Sequence, residues 1–236
     1  MAAAPAGMKR FYGVLAGAAI VGIGVLGWQM SQKKSRVSIP VNAAITVADT
    51  AGFRGYVLGS PTAPVEVVEY ADYQCPACQS FEMVQFPDVR QQLIETGRLR
   101  WRYRDFPLIS IHRNTMVATH AAACAADQGD AKYWALHHRL YEAQPEWGGE
   151  RPPSNPAPLV RGYAEAVGLD MAKYDECMQS AKYAGRIEAS RKEAEEMGVN
   201  STPTFLIQGR LYPGVLSSDE LRKIVDSLAP VSAATR

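Results

Sequence analysis

The chain has 236 residues, enough for one sizeable domain or two small ones. Its formal charge is +1, but five basic and no acidic side chains fall within the first 36 positions, which leaves 20 basic against 24 acidic residues in the rest. Residues 37–236 are thus mildly acidic and lack the excess of basic side chains that nucleic acid binding needs, so no nucleic acid partner is expected. Four cysteines are too few for a disulfide-built miniature fold, so the core must be hydrophobic.

The first 36 residues are predicted to be a membrane anchor with basic flanks. Residues 11–30 carry no charged side chain, and a helix of that length spans about 30 Å, the thickness of a bilayer's hydrocarbon core. Phe11, Tyr12 and Trp28 stand at its ends, where aromatic rings suit the membrane interface. A cleaved secretory signal is the alternative, but the charged stretch that directly follows offers no small-residue cleavage site.

The next 70 or so residues contain a tether and then a βαβ pattern. Residues 37–54, polar and then rich in small residues, predict the tether. Residues 65–70 are β-branched and aromatic and predict a strand, and a helix is expected from Pro76 to about Thr96, ending near Gly97. Residues 98–104 alternate basic with apolar side chains and predict a second strand, which must be parallel to the first if the two are neighbours.

The remaining pattern is helical and then returns to strands. Helices are predicted over residues 116–126, 131–143, 159–167 and 171–197, with a proline-rich break at 151–158. Residues 204–207 and 210–212 then predict a hairpin around Gly209. Ser217 is a plausible cap for a final helix that extends to about Leu228. The predicted fold class is α/β, with the order βαβ, helical insertion, ββα.

The chemistry is expected at the sequence Cys75-Pro76-Ala77-Cys78. A C-x-x-C motif serves either metal binding or thiol–disulfide exchange. A zinc site would need further ligands, for which Cys124 and His120 are the nearest candidates. The position between a strand and a helix favours exchange, because unpaired N–H groups at a helix N-terminus stabilise the thiolate of the first cysteine.

The residues around this motif resemble those of DsbA-like proteins of the thioredoxin superfamily. Residues 70–78, 59–65 and 103–108 carry the resemblance, as do residues 198–205, which match the family's cis-proline loop. It covers about residues 55–230 and implies a thioredoxin fold, formed by 55–108 and 198–230, with a helical insertion at 109–197. It also implies exchange with protein cysteines through a redox-active Cys75–Cys78 disulfide, with no bound cofactor and no metal.

The resemblance assigns further residues to the site. Pro203 becomes a cis-proline that faces the dithiol, with Thr202 offering backbone groups to an extended substrate. Glu69 becomes a buried acid that handles protons, although strand alternation alone would also allow an outward-facing glutamate. Asp72 is a competitor for the same role, although it is expected to cap the loop. No motif involves the four histidines, which are expected to be structural or solvated: His112, His120, His137 and His138.

Cys124 and Cys177 have two possible states. They could be free buried cysteines, since cysteine packs as a small hydrophobe. In an oxidising compartment a structural disulfide is the better interpretation, and related proteins of this type often pair cysteines in this region. The sequence thus predicts a Cys124–Cys177 bond if the domain faces outward.

The predicted function is that of an extracytoplasmic oxidase, anchored in the cytoplasmic membrane and donating its Cys75–Cys78 disulfide to proteins with cysteine thiols. A quinone-linked membrane protein would reoxidise it. Ala77 stands where strongly oxidising relatives have histidine, which points to a weaker oxidant. The alternatives are a reductase or isomerase, and a non-catalytic module that binds unfolded chains.

Overall fold

The computed structural model describes residues 15–25 and 37–230, and the chain divides into two compact units, Met1–Val37 and Ser38–Arg236. Residues 15–25 form helix α1 in the first unit. Among the helices of these described residues, none is both long enough and apolar enough to span a membrane. The rest of the predicted anchor, residues 1–14 and 26–36, lies outside the described residues.

The segment predicted as a tether lies against the body of the second unit. It contains a short helix, α2 (Val47–Thr50). A capping box between Thr46 and Asp49 stabilises the start of this helix. Asp49 and the carbonyl of Ala44 lie so close to Gly185 that a side-chain β-carbon there would meet them at 2.5 and 2.8 Å. Glycine at position 185 therefore lets the segment pack directly on the backbone of another helix.

A five-stranded sheet forms the centre of the second unit. Its strands are β1 (Tyr56–Leu58), β2 (Val65–Ala71), β3 (Leu99–Asp105), β4 (Thr204–Ile207) and β5 (Arg210–Pro213), in the order β1-β3-β2-β4-β5. β2 and β3 are parallel, with Val65 opposite Leu99, and the other pairs are antiparallel. The predicted βαβ unit and hairpin are confirmed. The sequence does not predict β1, because three residues are too few to show an alternating pattern.

The two edges of the sheet are short. Trp134 contacts β1, where its indole Nε1 donates to the Val57 carbonyl at 3.2 Å. β5 begins at the exposed Arg210 and ends at Pro213, which has no N–H to donate.

Helix α3 joins β2 to β3 and is uneven along its length. It runs through Pro76–Ser80, a π turn at Phe81–Gln85, Phe86–Val89 and a second π turn at Arg90–Ile94. Each π turn adds a residue to the helical repeat and so rotates the following side chains around the axis. Phe81 stacks on Trp101 at 5.6 Å between ring centroids and lies 4.9 Å from Phe205, in the centre of the hydrophobic core.

The helical insertion lies between β3 and β4, as predicted. Its helices are α4 (Thr115–Ala126), α5 (Asp130–Glu142), α6 (Gln144–Trp147), α7 (Ala157–Ala166), α8 (Met171–Gln179) and α9 (Ala184–Glu196). The alanine-rich α4 is buried over most of its length, because small side chains let the neighbouring helices approach on all sides. Helix α10 (Ser218–Leu228) closes the chain behind the predicted Ser217 cap, which forms a capping box with Glu220.

The prediction of one helix over residues 171–197 is wrong. The chain turns between α8 and α9, where Ala181 has a φ of +49°, a left-handed conformation that breaks the helical repeat. The Tyr183 N–H donates to His120 Nε2 of α4 at 3.0 Å, so the break directs the chain back onto the insertion. The helix propensities of residues 171–197 do not predict this break, because it depends on a tertiary contact.

Candidate active site

Cys75 and Cys78 lie at the start of α3, and both are thiols in this structure. Cys75 is the N-cap residue and Pro76 holds the first helical position, where its missing N–H costs nothing. Cys75 is 6% exposed and Cys78 is completely buried. The first sulfur is therefore the one that a reactant can reach, and the second lies behind it.

The surroundings of Cys75 favour its thiolate. The thiol of Cys78, as hydrogen-bond donor, is the largest influence that lowers the pKa of Cys75, which falls from an ordinary 9.0 to about 6. Burial opposes this shift, while the Thr202 side chain and the backbone N–H groups of Cys78 and Ala77 support it. At neutral pH the accessible sulfur is thus largely ionised, and the thiolate is the species that attacks or leaves in disulfide exchange.

Cys78 has the opposite properties. Burial raises the pKa of the Cys78 thiol well above its ordinary value, and its interactions with Cys75 and Glu69 raise it further. A thiolate formed at this sulfur is therefore strongly basic and takes up a proton. The pair combines a good leaving group at the surface with a proton acceptor in the interior.

The peptide bond between Thr202 and Pro203 is cis, and it faces the dithiol. The Cys75 Sγ lies 3.4 Å from the Thr202 carbonyl, to which the thiol donates. The Thr202 hydroxyl is buried and has no other partner among the described residues, so it is free to donate to the thiolate. The cis-proline loop thus offers an acceptor to the thiol and a donor to the thiolate.

Replacing Thr202 by valine is expected to raise the pKa of Cys75 from about 6 towards 9.0, because valine has the same shape but no hydroxyl to donate. The thiolate absorbance near 240 nm, followed through a pH titration of the reduced protein, measures the shift. Thr202→Ser keeps the donor and should titrate like the parent. A valine variant with an unchanged midpoint would show that the hydroxyl does not act on Cys75.

Asp72 does more than cap the loop. Its side chain is completely buried and accepts four hydrogen bonds, from the Gln74 N–H, the Thr115 hydroxyl, the Leu108 N–H and His112 Nδ1, at 2.5 to 2.8 Å. The hydrogen bond to Asp72 raises the pKa of His112, and the proximity of Cys75 adds to the rise. The expectation of a purely structural or solvated His112 is incomplete, since its ring is hydrogen-bonded to Asp72 and interacts electrostatically with Cys75.

The helical insertion also holds the dithiol loop. Gln144 of α6 donates through Nε2 to the carbonyls of Tyr73 and Cys75 at 2.8 and 3.0 Å. Gln74 donates to the Gly148 carbonyl and accepts from the Asn114 N–H. Sequence reasoning does not find these residues, because each contact joins segments that are 40 or more positions apart and no motif marks them.

Glu69 points into the protein and is 3% exposed, so the alternative of an outward-facing glutamate is wrong. Its Oε2 accepts from Trp101 Nε1 at 3.3 Å. Burial raises the pKa of Glu69 well above its ordinary value, and Glu82 and Cys75 raise it further. The carboxyl thus holds a proton more strongly than an ordinary glutamate does, in the neighbourhood of Cys78, with which it interacts electrostatically.

Cys124 and Cys177 form a disulfide that connects α4 to α8. The prediction of a bond therefore holds, and the alternative of two free cysteines is wrong. His120 lies beside this pair, and the three form the group of potential metal ligands found among the described residues. Neither Cys75 nor Cys78 belongs to it, so the structure does not assemble the zinc site that the sequence left open.

The arrangement as a whole is suited to thiol–disulfide exchange. It combines an accessible sulfur of low pKa, a buried partner sulfur, a cis-proline carbonyl beside the first and a protonatable acid near the second. These are the groups that such a reaction needs: a nucleophile or leaving group, a resolving thiol and a proton store.

Comparison with known proteins gives a family match. The family model described as thioredoxin matches residues 53–227. The crystal structure of oxidised BdbD from Bacillus subtilis has a TM-score of 0.66 with this chain, at 21% identity, and the match covers 81% of this chain and 98% of that one.

Two relatives differ in how much of their own length this chain matches. The Na(+)/H(+) antiporter NhaA 3 of Salinispora tropica is 36% identical over 174 residues, which are 74% of this chain but 24% of that protein. This chain spans only 24% to 31% of the length of such antiporters. Disulfide bond formation protein D of Bacillus subtilis is 24% identical, and the match covers 72% of this chain and 75% of that protein.

Proposed function

The chain belongs to the thioredoxin family, and we propose that it is a thiol–disulfide oxidoreductase of the DsbA type that acts as an oxidase. The observation that carries this proposal is the contrast between Cys75, whose thiolate is stabilised, and Cys78, whose thiolate is not. Stabilising the thiolate stabilises the reduced enzyme, and an enzyme whose reduced form is stable gives its disulfide away.

The reaction begins with the Cys75–Cys78 disulfide. A substrate thiolate attacks Cys75 Sγ, the bond between the two sulfurs breaks, and Cys78 leaves with the electron pair and takes up a proton. A second substrate thiolate then attacks the substrate sulfur of this mixed disulfide, and Cys75 leaves as a thiolate. Two electrons pass from the substrate thiols to the enzyme, and the substrate gains a disulfide.

Glu69 is proposed as the acid that supplies the proton to Cys78. It is buried, holds a proton more strongly than an ordinary glutamate does and interacts electrostatically with the sulfur that needs one. The cis peptide before Pro203 and the Thr202 carbonyl are proposed to align the substrate, because an extended chain there would meet backbone groups next to Cys75.

Two observations support an oxidising compartment outside the cytoplasm. The Cys124–Cys177 disulfide is of a kind that persists in oxidising surroundings. The uncharged run at residues 11–30 supports a membrane anchor, which would keep the enzyme near a quinone-linked membrane protein that reoxidises it. The proposed substrates are proteins that expose cysteine thiols while they fold.

The proposal is tested with oxidised protein and a reduced, unfolded substrate. The parent should introduce disulfides and accelerate recovery of the folded substrate, whereas Cys75→Ser should lose this activity completely, because serine cannot form the disulfide that is donated. Equal activity of parent and variant would instead identify a module that binds unfolded chains.

The reduction potential of the Cys75–Cys78 pair decides the direction of exchange. An oxidase is expected to lie nearer to about −120 mV, and a thioredoxin-like reductase near about −270 mV. Because Ala77 provides no imidazolium beside Cys75, we expect a value between these limits but on the oxidising side. A value at or below the reductase limit would contradict the oxidase proposal. Equilibration with glutathione, followed by alkylation of free thiols, measures the potential.

A further inference from the structure

A cavity of about 260 Å³ lies against the side of α3, between this helix and α5. Two of the groups that line it are Glu82, on the first π turn of α3, and the neighbouring His138 of α5. Arg90, Gln91 and His137 also line it. Neither Cys75 nor the cis-proline loop borders this cavity, so it is separate from the face that a substrate would cover.

Glu82 is buried, yet it faces two histidines. His138 Nδ1 lies 3.2 Å from its Oε1, and His137 Nε2 lies 3.6 Å from its Oε2. The side chain of His138 is 54% exposed, whereas that of His137 is buried and its Nδ1 is hydrogen-bonded to the Tyr73 hydroxyl at 2.8 Å. His138 is thus the histidine that joins the buried Glu82 carboxyl to water.

On its inner side Glu82 is coupled to Glu69. Repulsion from the Glu82 carboxylate is, after burial, the largest influence that raises the pKa of Glu69. Glu69 in turn acts on Cys78. These titratable groups therefore interact in series: Cys78 with Glu69, Glu69 with Glu82, and Glu82 with the exposed imidazole of His138.

We propose that His138 and Glu82 form a proton port, through which the proton that Cys78 takes up or releases passes between Glu69 and the water of this cavity. This inference rests on the proposed function. Cys78 is completely buried, so its proton needs a route to water whichever thiol is attached to Cys75. A route through the back of the site allows the proton to move while the mixed disulfide is still in place.

The acidities of the groups along the route suit this direction of transfer. Burial acts to raise the pKa of Glu82, but His137 and His138 outweigh it and lower the pKa below its ordinary value. The hydrogen bond to Glu82 raises the pKa of His138; Glu142 reinforces this rise and Arg90 opposes it. A proton thus enters at His138, crosses an acidic Glu82 and stays on the more basic Glu69 until Cys78 takes it.

The port is tested by chemical rescue. Oxidised protein is mixed with 2-mercaptoethanol at pH 7, quenched with acid, alkylated and analysed by mass spectrometry, which gives the rate at which Cys78 is released as a thiol. His138→Gly should slow this step by about five- to tenfold, a modest share of what acid–base groups contribute. Added imidazole should restore most of the rate by entering the cavity in place of the lost side chain.

Two further variants separate the port from a general effect on the fold. Gln91→Ala changes a neutral side chain that lines the same cavity and should match the parent with and without imidazole. His138→Gly combined with Glu82→Gln should remain slow in imidazole, because the next group of the route is then unable to carry the proton. A His138→Gly protein that reacts at the parent's rate, or whose slow reaction imidazole does not restore, would overturn the port.

This outcome is independent of the direction of exchange. The assay measures how protons reach Cys78 and needs only that the Cys75–Cys78 disulfide react with a small thiol. The proposed function would instead be overturned if Cys75→Ser were as active as the parent on an unfolded substrate. The two results are therefore distinguishable.

Discussion

Breaking the Cys124–Cys177 disulfide is expected to lower the free energy of unfolding by roughly 4 kcal/mol. The bond joins residues that are 53 positions apart, and restricting the unfolded chain with a loop of this length is worth about that much in the loop-entropy description. For a domain of about 200 residues the melting temperature should fall by about 8 to 16 °C. Urea unfolding with and without reductant measures the difference.

The measurement needs a background in which only this bond responds to the reductant. Cys75→Ser with Cys78→Ser leaves Cys124 and Cys177 as the remaining cysteines of the chain. In that background, Cys124→Ala with Cys177→Ala should be insensitive to reductant and about as stable as the reduced form. A change below about 1 kcal/mol on reduction would contradict the prediction, because it would mean that the bond hardly restricts the unfolded chain.

The contribution of Cys75 to the free energy of unfolding of the reduced protein is expected to increase with pH between about 6 and 9. The fold lowers the pKa of Cys75 from 9.0 to about 6, so its thiolate stabilises the native state. This contribution is complete above the unfolded pKa and is lost as the pH falls through about 6. At 1.36 kcal/mol for each pKa unit, it reaches about 4 kcal/mol over the whole range and about 1.4 kcal/mol at pH 7.

Cys75→Ser provides the matched reference, since serine does not titrate in this range. The difference in free energy of unfolding between the reduced parent and this variant, measured in urea from pH 5 to 9, isolates the contribution of the thiolate. A difference that does not change with pH would show that the fold does not stabilise the thiolate. The contribution at pH 7 corresponds to about 30 mV in the reduction potential, in the oxidising direction.

The sequence predicts the reacting groups well because their determinants are local. Pro76 after Cys75, a strand before it and Thr202-Pro203 before another strand are all visible in short stretches of the chain. The structure places these residues together, with the cis peptide beside the dithiol as the resemblance implied, and adds a contact between Cys75 and the Thr202 carbonyl. The βαβ unit and the helical insertion follow from periodicity in the same way.

The supporting contacts are not predictable from the same stretches. Asp72 meets Leu108, His112 and Thr115 from a different loop, and Gln144 reaches the dithiol loop across about 70 positions. Glu82 looks like an ordinary polar residue in a helix. Its burial depends on packing against α5, within a π turn that no helical pattern indicates.

The edges of the sheet have a consequence for a protein that would handle unfolded chains. Such chains carry unpaired backbone groups and readily add themselves as an extra strand to an open sheet edge. Here β5 is four residues long, begins with a charged side chain and ends with proline, and β1 is three residues long, with one of its carbonyls bonded to Trp134. Under the proposed function, these edges would keep the sheet from being extended by the unfolded chains that the enzyme oxidises.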